Sequence, residues 1–242
     1  MIRSVILSPP AKQVSTVCFI PILPSLKLIS KSFCYNSSMP EIEGFIFDVG
    51  GVLFKTDRFW RDVFPEIGRR VKELPSQLIQ RYRQKETNFE TIPSNGCNFS
   101  RLAAVLDLNI SSQYLEEMIN KFLGKEKLFR YLDANVIALV GEVRQRGYQA
   151  FCLSNVANFF DNYLKNNINP LFDQSFYSYE IGLRKPCPEI YEAVLKEVEI
   201  SPQRLVFIDD RQKNLDYPYR IGINCLLYTN PTQLKTDLNK FL

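Results

Sequence analysis

The sequence predicts an α/β fold in which helices cover both faces of a parallel sheet. Two observations lead to this prediction. Short apolar segments with strand character alternate with amphipathic helical segments in the second half of the chain. Residues 58–127, which lie between the first and second predicted strands, have helical character.

The first predicted element is a strand followed by a turn, within residues 41–54. The apolar segment GFIF is followed directly by Asp48, and Gly50 and Gly51 come next. Because glycine has no side chain, the backbone of this turn can approach a ligand closely. The strand is therefore expected to bring a single carboxylate to a glycine turn.

The inserted region has apolar residues at spacings of three and four, which indicates helices. A break is predicted at residues 92–98, where proline, glycine and asparagine interrupt the pattern, and Ser111 is a plausible helix start. The predicted helical segments are FWRDVFPEIGRRV, PSQLIQRYRQKE, SRLAAVLDLN and SSQYLEEMINKFL.

The second half of the chain alternates between the two periodicities, which implies parallel βαβ units. The predicted strands are YQAFCLSN, LFDQSFYS, RLVFIDD and NCLLYTN. The predicted helices are NVIALVGEVRQRG, ANFFDNYLKNN, PEIYEAVLKEV and TQLKTDLNKFL.

Ligands of parallel sheets bind beyond the carboxyl ends of the strands, so the polar residues at those ends are candidate site residues. Adjacent acids after an apolar strand repel each other unless a cation or a helix amino terminus compensates. Lys185 lies in a loop that precedes a helix. The candidates at the strand ends are Asp48, the pair Ser154 and Asn155, and the pair Asp209 and Asp210.

This set of groups suits a magnesium ion and a phosphate. Magnesium prefers oxygen ligands, which Asp48 and one of Asp209 or Asp210 can supply. Lys185 would neutralise the phosphate charge, and Ser154 would donate a hydrogen bond to one of its oxygens. With the metal in place, a carboxylate can attack phosphorus and form an acyl phosphate.

Four motifs in order resemble those of the haloacid dehalogenase-like (HAD) superfamily, across about residues 43–230. FDVGGVLF resembles the first motif, with Asp48 as the nucleophile. LSN resembles the second, with Ser154 as the phosphate-binding hydroxyl, and GLRKPCPEIY resembles the third, with Lys185. FIDDRQKN resembles the fourth, with Asp209 and Asp210 as acids at the metal.

The resemblance implies a Rossmann-like doubly wound core, formed by residues 41–57 and 128–242, with a helical cap at 58–127. It also implies Mg²⁺ as cofactor and a small phosphorylated molecule as substrate. Asp210 is expected to bind the metal directly, and Asp209 through water or by orienting its neighbours. Asn155 and the backbone of Gly51 are expected to bind substrate.

Gly50 departs from the usual Asp-x-Asp form of the first motif in HAD phosphatases, whose second acid protonates the leaving group and then activates water. The Gly50 carbonyl can still bind magnesium, but the proton donor is missing. General acid–base help is typically worth about 10²–10⁴-fold in rate. Phosphates of poor leaving groups should therefore be affected most, and aryl or acyl phosphates least.

Three functions remain open. The first is a phosphatase, slowed or specialised by Gly50. The second is a protein that retains phosphate and metal binding but has a regulatory role. The third is dehalogenation of a small acid, which needs no metal; the pair Asp209 and Asp210 favours magnesium over this alternative.

Composition excludes several other functions. The chain has no histidine, which excludes a Ser-His-Asp triad and histidine-ligated zinc. Four of the 30 basic residues lie in the first 40 positions, which contain no acid. The remainder therefore has 26 basic and 26 acidic residues. This balance argues against a nucleic-acid-binding face.

Residues 1–40 are basic, serine-rich and acid-free, and are expected to be a targeting segment or a disordered extension outside the fold. Their apolar run is too short and too interrupted by proline to span a membrane. If residues 1–38 are a transit peptide, the protein belongs in a mitochondrion or plastid. If translation starts at Met39, it is cytoplasmic.

Overall fold

Five parallel strands form one sheet at the centre of the fold. The computed structural model describes residues 41–85, 90, 99–124 and 128–242, so the predictions for residues 1–40 and 92–98 lie outside the described part. The strand order is β3-β2-β1-β4-β5. The strands are β1 Gly44–Phe47, β2 Gln149–Ser154, β3 Gln174–Tyr177, β4 Leu205–Asp209 and β5 Asn224–Leu227.

The side chains of β1 alternate between two hydrophobic cores, one on each face of the sheet. Phe45 and Phe47 pack into one core with α6 (Ala134–Gln145) and α11 (Pro231–Leu238). Ile46 packs into the opposite core, with residues of α9 (Pro188–Val198) and α10 (Gln212–Arg220). Because both faces are covered, β1 is apolar throughout, as parallel strands commonly are.

The predicted α/β fold with a helical insertion is confirmed by this arrangement. Four helices lie between β1 and β2 in the described part of the insertion, followed by the short α5 (Leu128–Tyr131). Ser111 caps the last of the four by accepting a hydrogen bond from the Tyr114 N–H at 3.2 Å, as its position predicted. The four helices are α1 Thr56–Val71, α2 Pro75–Lys85, α3 Phe99–Val105 and α4 Ser112–Leu123.

Three details differ from the sequence prediction. Residues 157–167 are a short 3₁₀ turn followed by α7 (Asp161–Asn167), and α8 (Ser178–Ile181) begins directly after β3. Helix α10 was not predicted because QKNLDYPYR is mostly polar and contains Pro218. Only a narrow side of α10 is buried, through Asn214, Leu215 and Pro218, so few apolar residues mark the segment as a helix.

The inserted helices share a continuous apolar core with the sheet domain. Phe59 of α1 packs against Phe54, with ring centroids 5.6 Å apart, and against Phe160, at 5.5 Å. The boundaries of a separate cap at 58–127 therefore stay a prediction. Within the described residues, no helix combines the length and hydropathy needed to cross a membrane.

The strand register places the polar strand ends at one edge of the sheet. Phe47 of β1 pairs with Cys152 of β2 on one side and with Ile208 of β4 on the other. Asp48, Ser154 and Asp209 follow these three residues closely, so they lie at the same carboxyl edge.

Candidate active site

Asp48 lies at the end of the central strand and is 6% exposed. Its Oδ1 accepts hydrogen bonds from the backbone N–H of Val49 at 2.6 Å and from Ser154 Oγ at 2.9 Å. Its Oδ2 lies 3.1 Å from Lys185 Nζ. The structure therefore brings together the three residues that were predicted to perform the chemistry.

Lys185 is 1% exposed, and its ammonium group has three oxygen partners. Nζ lies 2.7 Å from Asp209 Oδ2 and 3.1 Å from Asp48 Oδ2, and it donates to the Leu153 carbonyl at 2.8 Å. Burial acts to lower the pKa of Lys185, but Asp48 and Asp209 more than compensate and raise it. The group is therefore held as a buried cation between two acids.

Asp209 is completely buried and directs its carboxylate at neighbouring donors. Besides Lys185, it accepts hydrogen bonds from the Arg211 N–H at 2.8 Å and from Asn214 Nδ2 at 2.9 and 3.0 Å. Asp209 is therefore fixed between Lys185, Arg211 and Asn214, and its role at the metal stays a prediction.

Asp210 differs from Asp209 because its Oδ1 is buried and has no hydrogen-bond partner. Burial raises the pKa of Asp210, and the charge of Asp209 raises it further. One carboxylate oxygen from each of Asp48, Asp209 and Asp210 lies within 4.8 Å of the others, the one such cluster in the described part of the chain. Three acids with an orphaned oxygen and a single ammonium fit a small divalent cation that prefers oxygen ligands.

Gly51 forms the wall of this acidic cluster. Its φ is +87°, and a Cβ built on it would lie 2.2 Å from Asp210 Oδ2. A side chain at position 51 would therefore both strain the backbone and displace Asp210. Gly50 has no such restriction, since a Cβ there would meet only Thr56 Oγ1, at 3.3 Å.

The electrostatics of the site centre on Asp48. Burial raises the pKa of Asp48 from 3.8 to about 7, Lys185 opposes this rise, and Asp209 and Asp210 add to it. A cation that neutralised the acids would favour ionised Asp48.

Asn155 was predicted to contact substrate, and in this structure its side chain pairs with the backbone of Lys185. Nδ2 donates to the Lys185 carbonyl at 2.8 Å, and Oδ1 accepts from the Lys185 N–H at 2.8 Å. Asn155 therefore fixes the loop that carries the lysine, while substrate contact stays a prediction.

The candidate catalytic groups face a cavity of about 1250 Å³ between the sheet edge and the inserted helices. Asp48, Ser154, Lys185 and Asp210 line one part of it. The rest includes aromatic residues that sequence reasoning did not assign to a site. Phe160 and Tyr163 carry no local signal for this role, because they meet the cavity only through the tertiary fold.

Comparisons with known proteins identify the family of this chain. A family model described as "haloacid dehalogenase-like hydrolase" matches residues 42–216. The chain is 23% identical to a D-ribitol-5-phosphate phosphatase of Bacteroides thetaiotaomicron over 211 residues, which cover 83% of this chain and 98% of the relative. It is 31% identical to the sesquiterpene phosphatase astK of Aspergillus oryzae over 112 residues, 46% of this chain and 57% of the relative.

A solved structure has the same fold. The HAD family enzyme bt-2542 of Bacteroides thetaiotaomicron, in complex with magnesium and inorganic phosphate, superposes with a TM-score of 0.58 at 20% identity. The match covers 78% of this chain and 94% of that one. Since the family model covers well over half of the chain, the resemblance of the four motifs is confirmed, and the protein belongs to the haloacid dehalogenase-like hydrolase family.

Proposed function

We propose that the protein is a Mg²⁺-dependent phosphatase that hydrolyses a small phosphomonoester through an aspartyl phosphate on Asp48. The observation that carries the proposal is the position of Asp48, which contacts Ser154 Oγ and Lys185 Nζ at the floor of the cavity. A nucleophile, a hydroxyl donor and a fixed cation are the groups that an incoming phosphate needs.

In the proposed first step, an Asp48 carboxylate oxygen attacks phosphorus and the bond to the leaving-group oxygen breaks. Lys185 stabilises the negative charge on the phosphoryl oxygens, and Ser154 donates a hydrogen bond to one of them. The alcohol leaves with a proton taken from solvent or from a cavity group. Water then attacks the acyl phosphate, which releases inorganic phosphate and restores the Asp48 carboxylate.

Asp48, Asp210 and the backbone carbonyl of Gly50 would hold the magnesium ion, with Asp209 acting through water or through its hold on Lys185. The ion would supply charge neutralisation at the phosphoryl group. Two observations on this chain support the assignment: the orphaned Asp210 Oδ1 and the glycine that makes room for the Asp210 carboxylate.

Two relatives support the reaction class. One is named a D-ribitol-5-phosphate phosphatase and one a sesquiterpene phosphatase, and the structure of bt-2542 holds magnesium and phosphate. Dehalogenation needs no metal. A cluster of three acids, one of which has an unpartnered carboxylate oxygen, therefore argues against it.

A second candidate function rests on Gly50. Position 50 carries no acid, so the protein would bind phosphate and metal and act as a regulator without efficient turnover. The two functions differ in whether phosphate is released.

The test is release of phosphate from p-nitrophenyl phosphate by the full chain, with Mg²⁺, with EDTA, and in the Asp48→Asn variant. The proposal expects activity that requires both the metal and Asp48. Asp107→Asn is the matched control, because Asp107 is exposed, lies outside the cavity and has a φ of 52° that asparagine tolerates. Turnover equal to that of a folded Asp48→Asn variant would reject the phosphatase and favour the regulatory function.

A further inference from the structure

The cavity beside Asp48 has an aromatic wall built from two separate parts of the chain. Trp60 of α1 and Tyr82 of α2 come from the insertion, while Phe54, Phe160 and Tyr163 come from the sheet domain. Trp60 and Tyr82 have ring centroids 4.3 Å apart, and Phe54 lies 5.6 Å from Tyr163 and 6.0 Å from Phe160. Trp60 and Phe160 have ring centroids 6.3 Å apart, so the rings form a connected surface.

The aromatic wall presents carbon to the cavity. The indole Nε1 of Trp60 and the hydroxyl of Tyr163 are both shielded from solvent, and neither has a hydrogen-bond partner among the described residues. Since these two polar atoms are covered, the accessible parts of both rings are their apolar faces and edges. A polyol would find few hydrogen-bond partners on this side.

Several polar residues that line the cavity are already paired. Arg83 forms an ion pair with Asp57 at 3.0 Å, and Arg61 Nε donates to the carbonyl of Asp57 at 3.3 Å. Lys55 lies 3.2 Å from the carboxylate of Asp133. These contacts already use part of the hydrogen-bonding capacity of the three cations, whereas an apolar group needs none of it.

We infer that the alcohol part of the substrate is a flat, largely apolar group that lies against the aromatic wall while its phosphate meets Asp48. The inference rests on the proposed phosphatase function and specifies its substrate class. A flat apolar leaving group has a place to bind, because the aromatic wall and the candidate catalytic groups border the same cavity.

The test compares benzyl phosphate with glycerol 3-phosphate. Both release a primary alcohol. A difference in kcat/KM therefore reports on the rest of the leaving alcohol and not on the missing acid at position 50. We expect kcat/KM for benzyl phosphate to be higher by about tenfold or more, the scale of selection by an apolar pocket. An equal or higher value for glycerol 3-phosphate would overturn the inference.

Variants test whether the aromatic wall causes the preference for benzyl phosphate. Tyr82→Ala should reduce the ratio of the two kcat/KM values by about five- to tenfold, the scale of one aromatic contact. Tyr114→Ala is the matched control, because Tyr114 is also a half-buried tyrosine of the insertion but does not line the cavity. A ratio that falls equally in both variants would overturn the inference.

Binding is measured separately from turnover with the Asp48→Asn variant. Trp60 is the chain's single tryptophan and lies in the wall, so its fluorescence reports occupancy directly. Benzyl phosphate should alter this emission and saturate at a lower concentration than glycerol 3-phosphate. The reverse order of saturation would contradict the inference.

Acetyl phosphate, whose small body does not reach the wall, separates this inference from the proposed function. If the wild-type protein hydrolyses acetyl phosphate in an Asp48-dependent manner but does not prefer benzyl phosphate, the substrate class alone is wrong. If Asp48-dependent hydrolysis is absent for every substrate, the phosphatase function is wrong and the inference falls with it.

Discussion

Gly51 and Asp210 lie so close together that a methyl group on Gly51 would be 2.2 Å from the Asp210 carboxylate. The contact joins the turn after the first strand to the end of β4, two segments far apart in the sequence. The absence of a side chain at position 51 is thus what allows Asp210 to face the acidic cluster.

The Gly51→Ala variant should lower the affinity for Mg²⁺ and the Mg²⁺-dependent activity by about 10- to 100-fold, as loss of a group that orients a metal ligand typically does. The positive φ adds backbone strain of about 1–3 kcal/mol. Titration of Mg²⁺ against activity and thermal stability measures both effects. Gly50→Ala is the matched control, since its Cβ meets only Thr56 Oγ1 at 3.3 Å, and an equal loss there would contradict the explanation.

The Gly50→Asp variant should gain activity on phosphates of poor leaving groups. The space at position 50 admits a side chain, and a carboxylic acid there can protonate the departing alcohol. We expect glycerol 3-phosphate hydrolysis to rise by up to about 10²-fold, the lower end of general acid catalysis, while acetyl phosphate hydrolysis changes little. Gly50→Asn has the same size without the acid and should show no selective gain. A gain of equal size on both substrates, or in the asparagine variant, would count against a missing proton donor.

The Lys185→Met variant should destabilise the protein by about 3–5 kcal/mol, because two buried carboxylates lose their shared cation. Unfolding in urea measures the change. Lys165→Met is the control, since Lys165 forms an exposed pair with Asp161 and its removal should matter little. Adding Asp209→Asn to Lys185→Met should restore part of the stability by removing one unpaired charge; a further loss would show that charge is not the cause.

Without a divalent cation, the free energy of unfolding should fall as pH rises from about 4 to about 7. Burial raises the pKa of Asp48 from 3.8 to about 7, so in this window the folded state holds a proton that the unfolded state has lost. The raised pKa of Asp210 acts in the same direction. Urea unfolding in EDTA at several pH values measures the slope.

The Asp48→Asn variant provides the control for this slope, because its amide does not titrate and the slope should become shallower. Added Mg²⁺ should stabilise the wild-type protein more at about pH 8 than at about pH 5, since protons compete for the same oxygens. If the free energy of unfolding depends on pH equally in wild type and variant, groups other than Asp48 cause that dependence.

The sheet and the grouping of the candidate site residues could be predicted from sequence because both depend on local patterns. β1, β2 and β4 are apolar runs with polar residues at their ends, and parallel pairing brings those ends together without further information. Helix α10 escaped prediction because its buried side is narrow and includes Asn214. The position of Asn214 nevertheless matters, since it fixes the carboxylate of Asp209.

The aromatic wall could not be predicted, for a different physical reason. Trp60 and Tyr163 belong to segments about a hundred residues apart, and each is typical of an ordinary apolar helix face. Only the packing of the insertion on the sheet domain brings them to the same cavity. The same holds for Asn155, whose amide pairs with the Lys185 backbone through an approach that no local pattern encodes.

The strand order has a consequence for how the chain folds. Gly44 of the central strand pairs with Gln149 on one side and Leu205 on the other. During synthesis from the amino terminus, β1 emerges first but has no sheet partner until β2 has been made, and its second partner follows later still. Such a high contact order predicts slow folding. The unpaired backbone edge and the apolar faces of β1 would be open to chaperones or to aggregation throughout that interval.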